Sequence, residues 1–485
     1  MFESTIAKPD ERHALVIGGS IAGLLAAQVL TKHFNQVTII ERDHLSAQPE
    51  QRPGVPQAHH LHILLKRGLD VMEQLFPGIQ TELAASGAVA INASADYLWY
   101  GLGGWAPRFS SDLNIYSLSR NLLEWIIRSR LAANNRVVFV QASQVTSLLS
   151  NPSKTQVTGV QVRQKIDRRQ ETSYRQTDFT ADLVVDASGR NSRTPGWLEA
   201  MGYTAPKETV INSFLGYASC LYQLPENFQA DWQGALVTAK APGTRGGVMS
   251  AVEGNRWIVT LAGIGRDYPP TNEAGFLDFA RSLRNPIIYE AILDAKAISP
   301  LTAYHRTENS WHHYEKLSRL PAGFVVIGDA VCAFNPVYGQ GMTTAALGAL
   351  TLDECLNKQL SRHADGNLVG LSQRFQKQFS KIIAVPWLMA TGEDFRWHTT
   401  VGGRPNLMTK LMQYYLDQVL LLAAESPDIY RLFLEVMHLL KPPSVFFHPN
   451  IFRQVLQRII RESVNNSKFK MTLSTRRCAN KIQTF

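Results

Sequence analysis

Asp329 ends the apolar run "VVIG" and, within "VVIGDAVCAFNPVYGQGM", precedes a proline turn and a glycine-rich helix entry, Pro336 to Met342. The stretch thus sets a carboxylate beside a run of bare backbone amides at a strand end. A second such arrangement lies near the start. "GGSIAG", Gly18 to Gly23, follows an apolar strand pattern and opens a helix of small residues. This reads as a dinucleotide fingerprint with Gly18, Gly19, Ser20, Ala22 and Gly23 as its contacts. Gly18 makes the tight turn, Ser20 replaces the second glycine, and Gly23 lets helix and strand pack. The helix start presents unpaired amides to a pyrophosphate. Glu41, with Arg42 after it, stands about 20 residues on, where an acid binds ribose hydroxyls and disfavours a 2′-phosphate.

Other reactive residue types point elsewhere. His59, His60 and His62 have no fourth ligand near them in sequence, which favours loop roles over a metal. Cys220, Cys332, Cys355 and Cys478 are widely spaced and form no Cys-x-x-Cys pair, so neither a disulfide frame nor a zinc site is expected. No acid/base dyad stands out. The net charge of +9 is concentrated at the end, where Lys441 to Phe485 holds nine Lys or Arg against one acid, Glu462. Bases there alternate with apolar residues in "VFFHPNIFRQVLQRII", a pattern that suits peripheral contact with an anionic membrane surface and lacks any nucleic-acid motif. No apolar run approaches the roughly 20 residues of a spanning helix. The polar opening "MFESTIAKPDERH" gives the expectation of a cytoplasmic protein.

The elements that must position these residues form an α/β pattern. "HALVIGGSIAGLLAAQVLTKHFNQVTIIERD" is a βαβ unit. A polar loop leads to a helix expected over Leu61 to Leu75, and "SLSRNLLEWIIRSRLAANN" is a capped amphipathic helix. "VVFVQA", "VTGVQVRQK" and "FTADLVVDASGR" read as strands, and Val210 to Ile264 is strand-rich. The expected division is a Rossmann-like domain built from 1–82, 116–205 and 301–360, a substrate domain from 83–115 and 206–300 with an inserted antiparallel sheet, and a helical region 361–485. The aromatic stretch Tyr97 to Trp105 and Phe214 to Leu224 are candidate cavity walls.

Three separated motifs resemble those of FAD-dependent monooxygenases of the p-hydroxybenzoate hydroxylase type: "GGSIAG", "DLVVDASGR" and "GDAVCAFNPVYGQGM". The resemblance implies FAD as cofactor, with Gly328 and Asp329 at the ribityl chain and Pro336, Gly339, Gln340, Gly341 and Met342 along the flavin pyrimidine edge. It places Arg52 near the FAD phosphate, Gly54 and Val55 against the ring system, and Arg120 at a helix start that contacts FAD. Two departures matter. Ala187, Ser188 and Gly189 stand where such hydroxylases carry Ala-Asp-Gly, and Val331 and Cys332 replace the usual His. Both point away from direct reduction by bound nicotinamide and toward NAD(P)H as ultimate donor through a separate flavin reductase. "GVPQAHHLHILL", "LFPG", "RWIVTLAG" and "ATGEDF" are similar to the branch containing the polyether (lasalocid-type) epoxidases and, more distantly, squalene monooxygenase. The implied activity is insertion of one atom of O2 into an apolar alkene or aromatic compound, by epoxidation or hydroxylation through a flavin C4a-hydroperoxide. Such chemistry requires no protein acid/base pair. The alternative is an FAD-dependent reductase of the geranylgeranyl reductase type. The Trp-x-Trp-x-Ile-Pro signature of flavin halogenases is missing.

Overall fold

All five parallel strands end in step, and that register builds the site. In a computed structural model, which describes residues 12–168 and 171–461, the sheet order is Phe324–Val326, Leu183–Asp186, His13–Ile17, Gln36–Ile40, Val137–Val140. Ile17 pairs with Asp186 on one side and Ile40 on the other, and Asp186 pairs with Val326. The residues that follow, Gly18, Glu41, Ala187 and the Gly328–Asp329 pair, therefore emerge at one carboxyl edge, where open α/β sheets bind ligands. These strands are apolar throughout because both faces are covered, and Leu15, Val16, Val184 and Val185 are fully buried. The helices Ile21–Leu30 and Gly341–Leu360 pack on one another and share this core.

A second sheet forms the opposing wall. Its antiparallel centre is Gly216–Gln223, Arg256–Gly263, Arg245–Val252 and Gly234–Val237, and Tyr97–Gly101 joins it parallel to Gly234–Val237. One face packs on the helices Glu273–Arg281 and Ile287–Ile292 around Phe276, Val259 and Leu261, which frees the other face for a cavity. The inserted antiparallel sheet was expected from the strand-rich stretch. The aromatic segment Tyr97 to Trp105, read from sequence as a candidate cavity wall, forms two antiparallel strands of this sheet, Tyr97–Gly101 and Gly104–Trp105.

Two boundaries differ from expectation. The helix expected from Leu61 starts at Lys66, because the Leu61 amide donates to Thr260 Oγ1 at 3.2 Å and the Lys66 amide to His438 Nδ1 at 3.0 Å. Burial holds His438 neutral, with its pKa lowered to about 4, so Nδ1 keeps the lone pair this contact needs. The stretch "FTADLVVDASGR" divides between two sheets, ending one strand at Thr180 and starting another at Leu183. The helices Leu371–Asp394, Leu407–Ala423 and Pro427–Met437 complete the expected helical region. Part of the basic tail, from residue 462, lies outside the described residues, as does Cys478.

Candidate functional site

The fingerprint glycines are fixed by close backbone approach. Gly18 has φ +101°, and a Cβ there would sit 2.7 Å from the Ala187 carbonyl oxygen. A Cβ on Gly23 would lie 1.9 Å from the Gly18 carbonyl oxygen, so helix and turn pack only without one. Gly328, at φ +64°, would bring a Cβ to 2.7 Å from the Ala22 methyl, and so the two distant motifs touch. The helix that opens at Ile21 has no side-chain cap, which leaves its first amides for a ligand.

Ser20 is the odd member of the fingerprint, and its hydroxyl has a use. It donates to Glu124 Oε2 at 3.0 Å and accepts from Arg120 Nη2 at 2.8 Å. Arg120 Nη1 lies 3.0 Å from Glu124 Oε2 as an ion pair without hydrogen-bond alignment. Glu124 Oε1 takes Arg52 Nε at 2.8 Å, and Arg52 Nη1 reaches Asp43 at 2.9 Å and Glu41 at 3.2 Å. Burial opposes the charge on Arg52, but Glu124 first, then Glu41 and Asp43, hold it firmly protonated. Burial also raises the Glu124 carboxyl, and the two arginines more than reverse this and keep it below its ordinary range. Arg52 Nη2 donates to the Gly19 carbonyl at 3.2 Å. Its guanidinium therefore braces the fingerprint turn through three acids. Glu41 is buried and accepts the Gly19 amide at 2.7 Å and the Asp43 amide at 3.0 Å.

Asp329 contrasts with these. Half-buried at the strand end, its carboxylate takes no hydrogen bond among the described residues and faces a cavity. Burial raises its pKa, opposed by Arg190 and Arg120. The turn after it is rigid: Asn335 caps Val337 at 3.2 Å, Gly339 adopts φ +66°, and the helix from Gly341 starts without a side-chain cap. An acceptor without a protein donor, beside uncapped helix amides and a glycine cradle, fits the ribityl hydroxyls and pyrimidine edge of FAD.

One cavity of about 1750 Å3 joins these features to the second sheet. Gly18, Ser20, Ala22, Glu41, Arg42, Arg52, Gly54, Val55, Arg120, Asp329, Pro336, Gly339, Gly341 and Met342 line it. Gly19, Gly23, Gly328 and Gln340 do not; they shape the backbone behind it. Gly54 is held against Asp43, which accepts its amide at 2.7 Å.

Sequence reasoning missed several lining residues. Ser188, Gly189 and Arg190 face the cavity, with Arg190 anchored on Glu308 and the Phe334 carbonyl. The "DASGR" motif carried that signal. His62 also lines it; Nδ1 pairs with the His60 carbonyl at 2.9 Å, and burial, then Arg120, lower its pKa to about 4. The imidazole is neutral at pH 7. Of the expected wall, Tyr97, Trp99, Leu102, Leu215 and Tyr217 face inward, whereas Ala218, Cys220 and Tyr222 point into the other core. Leu236, Val248 and Ala262 supply the rest of the sheet wall, and Leu416, Leu420, Phe433 and Met437 close it from the helical region. Among the described residues no group of His, Cys, Asp and Glu could hold a metal, and Cys220, Cys332 and Cys355 are free thiols.

Comparison with known proteins agrees with this geometry. The chain is 32% identical over 445 residues to Protein Rv3254 of Mycobacterium tuberculosis, covering 90% of this chain and 91% of that protein. In fold it is similar to the flavin-dependent brominase Bmp2, with TM-score 0.63 and 14% identity over 93% of this chain and all of that one. It is also similar to PqsL, a probable FAD-dependent monooxygenase from Pseudomonas aeruginosa, with TM-score 0.56 and 15% identity over 79% of this chain and 98% of that one. A flavoprotein/dehydrogenase from Cytophaga hutchinsonii superposes with TM-score 0.59 and 16% identity over 88% and 92% of the two chains. A profile described as the FAD binding domain matches residues 11–373, and the chain belongs to that family.

Proposed function

We propose that this protein is an FAD-dependent monooxygenase that inserts one oxygen atom of O2 into an apolar alkene or aromatic substrate. The observation that carries this reading is the continuity of the cavity: the FAD motifs and a large apolar chamber share one space. When bound, FAD supplies the redox and oxygen chemistry. The protein residues have simpler tasks. Asp329 accepts from the ribityl hydroxyls, and the uncapped amides at Gly341 and Met342 stabilise negative charge beside them. The walls Trp99, Leu236, Val248, Leu416 and Phe433 exclude water and hold an apolar molecule by surface burial. No protein proton relay is needed for oxygen addition to an electron-rich double bond.

Electrons come in this reading from NAD(P)H through a separate reductase, which the serine at 188 in place of an acid supports. The decisive experiment reduces the FAD-loaded enzyme anaerobically with dithionite and mixes it with isotopically labelled O2 and a panel of apolar alkenes and arenes. One labelled oxygen in an epoxide or hydroxylated product supports the proposal. Saturation of an alkene by reduced enzyme without O2, with no label incorporated across the panel, replaces it with the geranylgeranyl reductase-type reading.

A further inference from the structure

The mouth of the cavity is lined by apolar side chains that also face solvent. Leu388 is 71% and Met408 66% exposed, and Val385, Met412 and Phe447 share this double position. The apolar face continues beyond the opening through Leu407 and Leu411 on the helix that carries Met408. Exposed apolar surface of this extent at a binding cavity marks an interaction face.

Its free charge is positive. The segments 371–392, 404–416 and 441–461 contain no Asp or Glu, and the acids that follow the first two and line the cavity, Glu393 and Asp417, are both paired with Arg396. Lys381, Arg404, Lys410 and Arg453 are exposed on them and form no ion pair among the described residues. Apolar side chains ringed by unpaired cations match the surface of an anionic bilayer, where the apolar face enters the acyl boundary and the cations meet headgroups. Among the described residues no helix is long and apolar enough to cross a membrane.

We infer that this rim is a lipid-docking face, seated on an anionic bilayer so that the cavity opens into the lipid and receives its substrate from there. The inference rests on the proposed apolar substrate. Its test does not, since binding is measured without turnover.

The FAD-loaded full chain is sedimented with phosphatidylcholine vesicles, with and without phosphatidylglycerol. Binding should require the anionic lipid and weaken with salt. Two variants leave the cavity lining intact: Leu407→Asp with Leu411→Asp, and Lys381→Glu with Lys410→Glu. Each should weaken vesicle binding by at least about tenfold, with thermal midpoint and flavin absorbance unchanged. Because both variants retain residues 462–485, undiminished binding would assign lipid contact away from the rim and overturn the inference. So would absence of binding by the wild type, or a concentration-dependent dimer in ultracentrifugation that Leu407→Asp with Leu411→Asp abolishes, which would make the rim a subunit interface.

Discussion

The Tyr338 hydroxyl donates to Asp394 Oδ1 at 2.7 Å and so ties the turn before Gly339 to the end of the helix Leu371–Asp394. Asn335, in the same turn, donates to Asp394 at 3.1 Å, and Asn309 does so at 2.7 Å. One buried carboxylate thus sets the position of the segment that brings Gly339 and Gly341 to the cavity.

That arrangement predicts a pH dependence. Burial pushes the Asp394 carboxyl up to about 6, against the pull of its donors. The folded value lies above the ordinary 3.8, so the fold favours the protonated acid. This contribution is complete below that ordinary value and is lost as pH rises through about 6. Asp394→Asn removes the titration and keeps an acceptor. The wild type should lose about 2.4 kcal/mol relative to Asp394→Asn between about pH 4 and about pH 7. Urea unfolding of both proteins at the two pH values measures it, and a difference that stays constant with pH would exclude Asp394 as the titrating group.

Asp329→Ala should give colourless or weakly yellow protein. The side chain makes no hydrogen bond within the described residues, so its loss leaves the fold intact and removes only an acceptor for the cofactor. Loss of a hydrogen bond to a charged group corresponds to about 1.5–3 kcal/mol, or roughly tenfold to a hundredfold in FAD affinity. Titration of apoprotein with FAD, followed by flavin fluorescence, reads this directly. Full occupancy at wild-type affinity would remove Asp329 from the cofactor site.

The cofactor half of the fold was legible because its signals are local. Strand, turn and helix entry adjoin in "ALVIGGSIAG" and "VVIGDA", and short parallel strands bring such turns to one edge whatever the rest of the chain does. The roles of Arg52 and Ser20 were not legible. Arg52 was expected near a phosphate, and its ion pairs depend on Asp43 and on Glu124, 72 positions away. The cavity wall was half legible for a similar reason. Alternation along Gly216–Gln223 shows that Tyr217 and Ala218 face opposite ways, but which face meets the cavity is decided by the helices packed on the other side. The short strand Gly234–Val237, which joins Tyr97–Gly101 to the sheet, is bounded by loops and carries little periodicity of its own.

Ser20→Gly restores the glycine of the usual fingerprint, yet it should weaken the protein. It deletes the hydroxyl that bridges Arg120 and Glu124 in a buried charge cluster. Two charge-assisted hydrogen bonds are lost, and the expected cost is about 1.5–3 kcal/mol. Thermal melts of the FAD-free proteins test this. Equal or higher stability in the variant would mean that the bridge contributes nothing beyond what glycine offers the turn.

Arg52→Met tests whether the guanidinium serves the cofactor or the fold. Methionine retains bulk but leaves the buried Glu41 and the half-buried Asp43 without a cation at hydrogen-bond distance, while Glu124 keeps Arg120. Breaking one side of a buried ion cluster costs about 3–5 kcal/mol, because the remaining charges stay desolvated. Asp43→Asn added to it should recover part of that loss, since the amide oxygen can still accept the Gly54 amide and one unpaired charge disappears. The two changes should therefore be non-additive by about 0.5–3 kcal/mol in urea unfolding of the FAD-free protein. Strict additivity, with Arg52→Met harmless in the absence of FAD and damaging only to FAD affinity, would favour the phosphate-binding role that the family resemblance implies for Arg52.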